Sequence, residues 1–231
     1  MDSHFERELE ALKEAVLKMA SHAEAAVQQA VQSLIERNAG LAARVKENDQ
    51  IIDQYEVEIH DSVVQQLTKA PLATDLRFVT AAIKISHELE RIGDEATQIA
   101  KRARELCIEP PVDIQFDLPA MILRTSDMLK GSLDAFTRRD SAAARAIIPR
   151  DKEVDAFNKK IHQTLIRYMA ENPDTIRRCL HWMAVSKSLE RIADHATNIA
   201  EDVVFLCEAN DIRHTGIKSG GNPATGSDKP A

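Results

Sequence analysis

Eight carboxylates stand in four pairs, each pair four residues apart: Asp49 with Asp53, Glu90 with Asp94, Asp151 with Asp155, and Glu190 with Asp194. A helix turns about 100° per residue, so each pair lies on one face, about 40° apart. If the helices that carry two such pairs are neighbours at matching heights, four negative oxygen donors gather in one region, and that crowding calls for a cation. Thr97 and Thr197 share the carboxylate face and add a hydroxyl each, while Glu201 follows Glu190 by eleven residues on the same face. His60 and His162 stand eleven residues beyond Asp49 and Asp151, nearly in line with them, as secondary candidate ligands. A plainer reading stands beside this one. Acids four apart on an exposed face are ordinarily solvation, Arg91 can pair with Asp94, and the two histidines read as partly buried polar residues. What favours a cation site is recurrence of the pairs at equivalent places.

That recurrence comes from a duplication. Residues 89–100 and 189–200 agree at nine of twelve positions. Upstream, an offset of 102 pairs Asp49 with Asp151, Asp53 with Asp155, His60 with His162 and Pro71 with Pro173, and Cys107 recurs as Cys207. Turn signals at 38–40 and 69–74, and again at 139–141 and 172–174, divide each unit into three helical stretches. The expected helices are 4–37, 41–68, 74–107, 118–138, 142–170 and 173–208. Ile92, Ala96, Ile99, Ala103 and Leu106 match Ile192, Ala196, Ile199, Val203 and Leu206 as a seam of helical period. Long helices joined by short loops lie antiparallel, so the predicted fold is all-α: two tandem three-helix bundles, six long antiparallel helices in all. Glu90 and Asp94 point away from the seam, which predicts a surface-lying cluster. The units span 1–108 and 118–212, with a Pro-containing linker at 109–117 and a tail at 213–231 rich in Gly, Ser, Lys and Pro that reads as disordered.

Composition agrees. Of seven glycines, four fall in the last sixteen residues, leaving a body poor in hairpin turns. A hydrophobic content of 44% suffices for a packed core. The net charge of −7 argues against nucleic acid as a partner. No apolar run reaches spanning length and no signal peptide is legible, so the expected protein is cytoplasmic without direct membrane insertion. Three cysteines without metal-site spacing read as small hydrophobes, Cys107 and Cys207 packing at helix ends.

At Leu89-Glu-Arg-Ile-x-Asp with the following Ala-Thr-x-Ile-Ala, repeated from Leu189, and at the four acidic-x-x-x-Asp pairs, the chain resembles the PhoU family over about residues 4–208. The resemblance implies a regulator without catalytic turnover, a negative regulator of the phosphate-starvation response. It implies two partners, the ATPase subunit of the high-affinity phosphate ABC transporter and the sensor histidine kinase of the phosphate regulon, together with homodimerisation. It also implies bound metal, iron, zinc, manganese or magnesium, at the acidic pairs. Two alternatives stand against it. A carboxylate-bridged metalloenzyme lacks support, because no Glu stands three residues before any His and no nucleophile has an evident base. A metal-free helical adaptor would dock basic surfaces through the same acids. The units depart from symmetry at Glu95 against His195 and at Lys101 against Glu201, which predicts that the second site binds metal more tightly.

Overall fold

The computed structural model describes residues 2–67 and 72–213, with side chains from residue 4. The first unit consists of α1 (Asp2–Ile35), α2 (Ala39–Leu67) and α3 (Ala73–Cys107). The second consists of α4 (Leu118–Arg138), α5 (Ser141–Ile147), α6 (Asp151–Glu171) and α7 (Ile176–Glu208). Within each unit every rod packs on the other two, and α3 also packs along α7, so these two helices form the centre of the molecule.

Pattern explains that arrangement. The predicted seam is buried throughout, from Ile92 to Leu106 and from Ile192 to Leu206. The central helices bury more than one stripe, and Ala81, Ala82, Ala100, Ala193 and Ala200 are all inaccessible or nearly so. Small side chains let a helix be enclosed on several sides without overfilling the space.

The fifth rod departs from the expected unbroken helix over 142–170. Pro149 lacks an N–H and cannot continue α5, so the chain tightens into a 3-10 turn over Ile148–Arg150 before α6 begins at Asp151. Likewise Pro173 opens a 3-10 turn over Pro173–Thr175 ahead of α7. The Lys69–Thr74 turn lies outside the described residues as far as 71, together with Pro71, and the tail lies outside them from 214 onward.

Duplication reaches the turns. Arg37 and Arg139, equivalent residues after the first helix of each unit, both take φ of 52°. Next to them, Asn38 Oδ1 accepts from the Leu41 amide at 3.0 Å and Asp140 Oδ1 from the Ala143 amide at 2.9 Å. Each carboxamide or carboxylate thereby satisfies an orphan donor at a helix start. Asp140→Ala is expected to cost about 1 kcal/mol, visible as a lower urea midpoint at unchanged slope.

The linker is held at both sides. Arg37 donates to the carbonyls of Leu106, at 2.5 Å, and Glu109, while Arg178 donates to those of Pro110 and Pro111 at 3.3 and 3.4 Å. Phe116 meets Trp182 edge-on, with ring centroids 5.5 Å apart. All three cysteines are free thiols. Cys107 is half-buried and Cys179 buried, but Cys207 is exposed and donates to the Arg139 carbonyl at 3.3 Å rather than packing.

Candidate metal centres

In the first unit α2 brings Asp49 and Asp53 against the face of α3 that carries Glu90 and Asp94. Gly93 marks the place of closest approach: a Cβ there would lie 3.1 Å from Asp49 Oδ1 and 2.9 Å from Ile52 Cδ1. The Asp49 carboxylate therefore abuts the α3 backbone between Glu90 and Asp94. Burial, then Asp53 and Asp94, push its pKa above the usual carboxylate range. The Thr97 hydroxyl is turned toward Asp49 and tempers the rise without reaching hydrogen-bond geometry. Asp53 is raised by burial and then by Asp94 and Glu56, and Glu90 by burial and then by Asp94 and Glu56.

The second unit repeats the arrangement around Asp151. Asp151 is pushed up to about 6, first by burial and then by Asp194, Asp155, Glu190 and Glu201. Asp194 is raised by burial and then by Glu190 and Asp155. Lys101, the counterpart of Glu201, is exposed. In both units the inner acids, Asp49, Glu90, Asp151 and Glu190, are half-buried, whereas Asp53, Asp94, Asp155 and Asp194 are exposed. The clusters thus line a helix–helix groove open to solvent on one side.

Positive side chains answer this charge only partly. Arg91 stands 3.6 Å from Glu90 and 3.8 Å from Asp94, and Lys187 contacts Glu190. Asp151 has no ion-pair partner among the described residues. Its Oδ1 and the hydroxyls of Thr97 and Thr197 are buried with no hydrogen-bond partner among those residues. Orphaned oxygens beside mutually repelling carboxylates are the donor set a hard cation takes, so the residues present fit a metal.

The two histidines go elsewhere. His162 places Nε2 3.2 Å from the Met183 carbonyl and 3.1 Å from Ser186 Oγ, on the α6–α7 contact. His60 is exposed and lines a groove with Glu56, Asp61 and His87. That groove holds two residues that sequence reasoning passed over. Glu56, His87 and Glu90 each offer a ligand atom, and the three atoms lie within 4.8 Å of one another. A signal existed, since Glu56 follows Asp53 by three residues and His87 precedes Glu90 by three, the spacing of one helical face.

Between the units, a cleft of about 630 Å³ is lined by Arg91, Glu95, Arg191 and His195 together with Asp151 and Asp194 of the second unit. Arg191 donates to Glu95 at 2.9 Å across it, and His195 and Asn198 meet Glu88 at 2.6 and 3.1 Å.

Comparison with known proteins agrees with this architecture. Residues 16–103 and 118–203 each match the PhoU domain. A phosphate-specific transport system accessory protein PhoU homolog of Pseudomonas putida is 39% identical over 220 residues, covering 94% of this chain and 86% of its own. One from Aquifex aeolicus is 36% identical over 216 residues, covering 93% and 98%. The crystal structure of PhoU from Pseudomonas aeruginosa superposes with a TM-score of 0.86 at 38% identity, over 89% of this chain and all of that one. A phosphate transport system regulatory protein PhoU from Streptococcus pneumoniae, at 24% identity, has the same fold with a TM-score of 0.82, over 90% of this chain and 99% of that one. Two matched repeats and this degree of identity along nearly the whole length show that the chain belongs to the PhoU family.

Proposed function

We propose that this protein restrains the phosphate-starvation response when phosphate is plentiful, acting as a regulatory accessory of phosphate uptake and not as an enzyme. In this reading it works in the cytoplasm as a homodimer. It links the ATPase subunit of the high-affinity phosphate ABC transporter to the sensor histidine kinase of the phosphate regulon, so that transporter status reaches the kinase. The observation that carries the reading is the pair of PhoU repeats, each with its four acids set in one groove. Relatives named as accessory proteins of phosphate-specific transport support it. So does the finding that no helix among the described residues is long and apolar enough to cross a membrane.

Metal is part of the proposal. Asp49, Asp53, Glu90 and Asp94, with Thr97, would hold it in the first unit; Asp151, Asp155, Glu190 and Asp194, with Thr197 and Glu201, would hold it in the second. Iron, zinc, manganese and magnesium all accept such oxygen donors. A bound cation would neutralise the repulsion and tie the two helices of each groove together. The second site is the tighter, because Glu201 adds a negative donor where the first unit has Lys101.

A strain deleted for this chain and grown in high phosphate is expected to express phosphate-scavenging genes, with alkaline phosphatase activity as the readout. Complementation should restore repression. Normal repression in the deletion strain removes the regulatory reading. An Asp94→Asn/Asp194→Asn variant tests the metal separately: metal content by elemental analysis and repression should fall together, and repression that persists without metal leaves a metal-free adaptor.

A further inference from the structure

Next to the acidic quartet of the first unit lies a donor set of mixed chemistry. Glu56 comes from α2, while His87 and Glu90 stand one turn apart on α3, and their ligand atoms converge within 4.8 Å. The His87 ring nitrogen is 3.4 Å from Glu56 Oε1, a long contact for a committed ion pair. His87 is exposed, and both glutamates are half-buried. The groove beyond them, about 440 Å³, is lined by Val57, His60, Asp61 and Ile83 and reaches the surface.

The duplication supplies a comparison inside the molecule. By the offsets that align the units, Glu56, His87 and Glu90 correspond to Asn158, Lys187 and Glu190. There the Lys187 ammonium sits directly on Glu190. Asn158 accepts from the Ser186 hydroxyl at 2.8 Å, and His162 closes that network at 3.1 Å from the same hydroxyl. One repeat thus carries its own cation against the glutamate and commits the neighbouring polar groups to each other. The other has an imidazole where the lysine stands and a second carboxylate where the asparagine stands.

We propose that Glu56, His87 and Glu90 form a site for one zinc-class divalent cation, present in the first unit only. One nitrogen and two carboxylate ligands leave a coordination position directed to the groove, the pattern of an open rather than a closed zinc site. The imidazole selects zinc, nickel, copper or ferrous iron over magnesium and calcium, which prefer oxygen donors throughout. The first unit therefore discriminates among metals in a way that the second, lacking this nitrogen donor, does not. Glu90 is shared with the acidic quartet, but the site stands without the metal reading of that quartet.

The test uses the full chain stripped with chelator and titrated with Zn²⁺ in a calorimeter, beside imidazole NMR with Zn²⁺ or Mg²⁺. Glu56→Asn/His87→Lys copies the second unit, so it should fold with an unchanged circular dichroism spectrum and melting temperature. It is expected to bind one Zn²⁺ fewer than the wild type, and Glu56→Gln should weaken that ion at least tenfold. His87 imidazole signals, assigned by their absence from the double variant, should move with Zn²⁺ and not with Mg²⁺. Asp49→Asn/Asp151→Asn should keep this response. If that variant also keeps every other ion, the acidic quartets hold no metal and the His87 site stands. If the double variant binds as many Zn²⁺ ions as the wild type and His87 signals stay fixed, the His87 site is overturned whatever the quartets do.

Discussion

Asp151→Asn is expected to stabilise the protein in the presence of chelator and to destabilise it, relative to wild type, in the presence of divalent metal. The folded pKa of Asp151 is about 6 against an ordinary 3.8, so the folded state holds its proton more tightly than the unfolded chain does. Its contribution is complete below pH ~4 and is lost as pH rises to ~6. At neutral pH the charged form costs about 3 kcal/mol by direct conversion, reduced to about 1 kcal/mol by solvent on the open side of the groove. Removing the charge recovers that amount without metal. With metal at a hundred times its dissociation constant, the wild type gains about 2.7 kcal/mol that the variant largely forgoes. Urea unfolding at pH 4 and pH 7, with chelator and with Mn²⁺, measures all four terms. A variant less stable than wild type under chelation at pH 7 would falsify the view that this groove is strained by its own charge.

The second large effect concerns the contact between the units. Asp202 of α7 is buried, its side chain only 4% exposed, with Lys84 of α3 at 3.4 Å and Arg213 at 3.6 Å. Burial raises its pKa, and Lys84 and then Arg213 oppose the rise. Lys84 also lies over the Phe205 ring, 5.2 Å from the centroid. Lys84→Met keeps the aliphatic bulk but leaves a buried carboxylate with its more distant partner alone. A loss of about 3 kcal/mol is expected in chemical denaturation. Lys84→Met/Asp202→Leu should return to within about 1 kcal/mol of wild type, because a matched apolar pair replaces a buried ionic one at little cost. A single variant as stable as wild type would show that solvent already screens the pair.

Fold was legible in the sequence to the extent that it is local and repeated. The seam residues Ile92 to Leu106 and Ile192 to Leu206 follow helical period and are buried as that period requires. The turn at Asn38 and its copy at Asp140 announced themselves by residue type. Pro149 carried a signal too, and its 3-10 turn is what a missing amide imposes inside a rod otherwise rich in alanine.

The four acidic pairs were legible because each lies on one helix. What escaped was register across helices. No spacing along the chain says that Glu56 of α2 stops beside His87 of α3, or that Asn158, Ser186 and His162 meet while His60 stays in solvent. Those depend on how far one rod slides and rotates against its neighbour, which the packing of residues such as Ile52 on Gly93 decides.

Glu88 with His195 and Glu95 with Arg191 are contacts without mirror images. The counterpart of Glu88 is Ser188 and that of His195 is Glu95, so neither bond can recur with the halves exchanged. In an assembly of identical partners each surface would meet itself, contact for reciprocal contact. Two first halves would set Glu88 against Glu95, acid against acid, and two second halves would set Ser188 against His195, with no carboxylate for the ring to meet. The join is therefore polar in the sense of a plug and its socket, and a shuffled chain built from either half twice over would lack the Glu88–His195 bond that closes it.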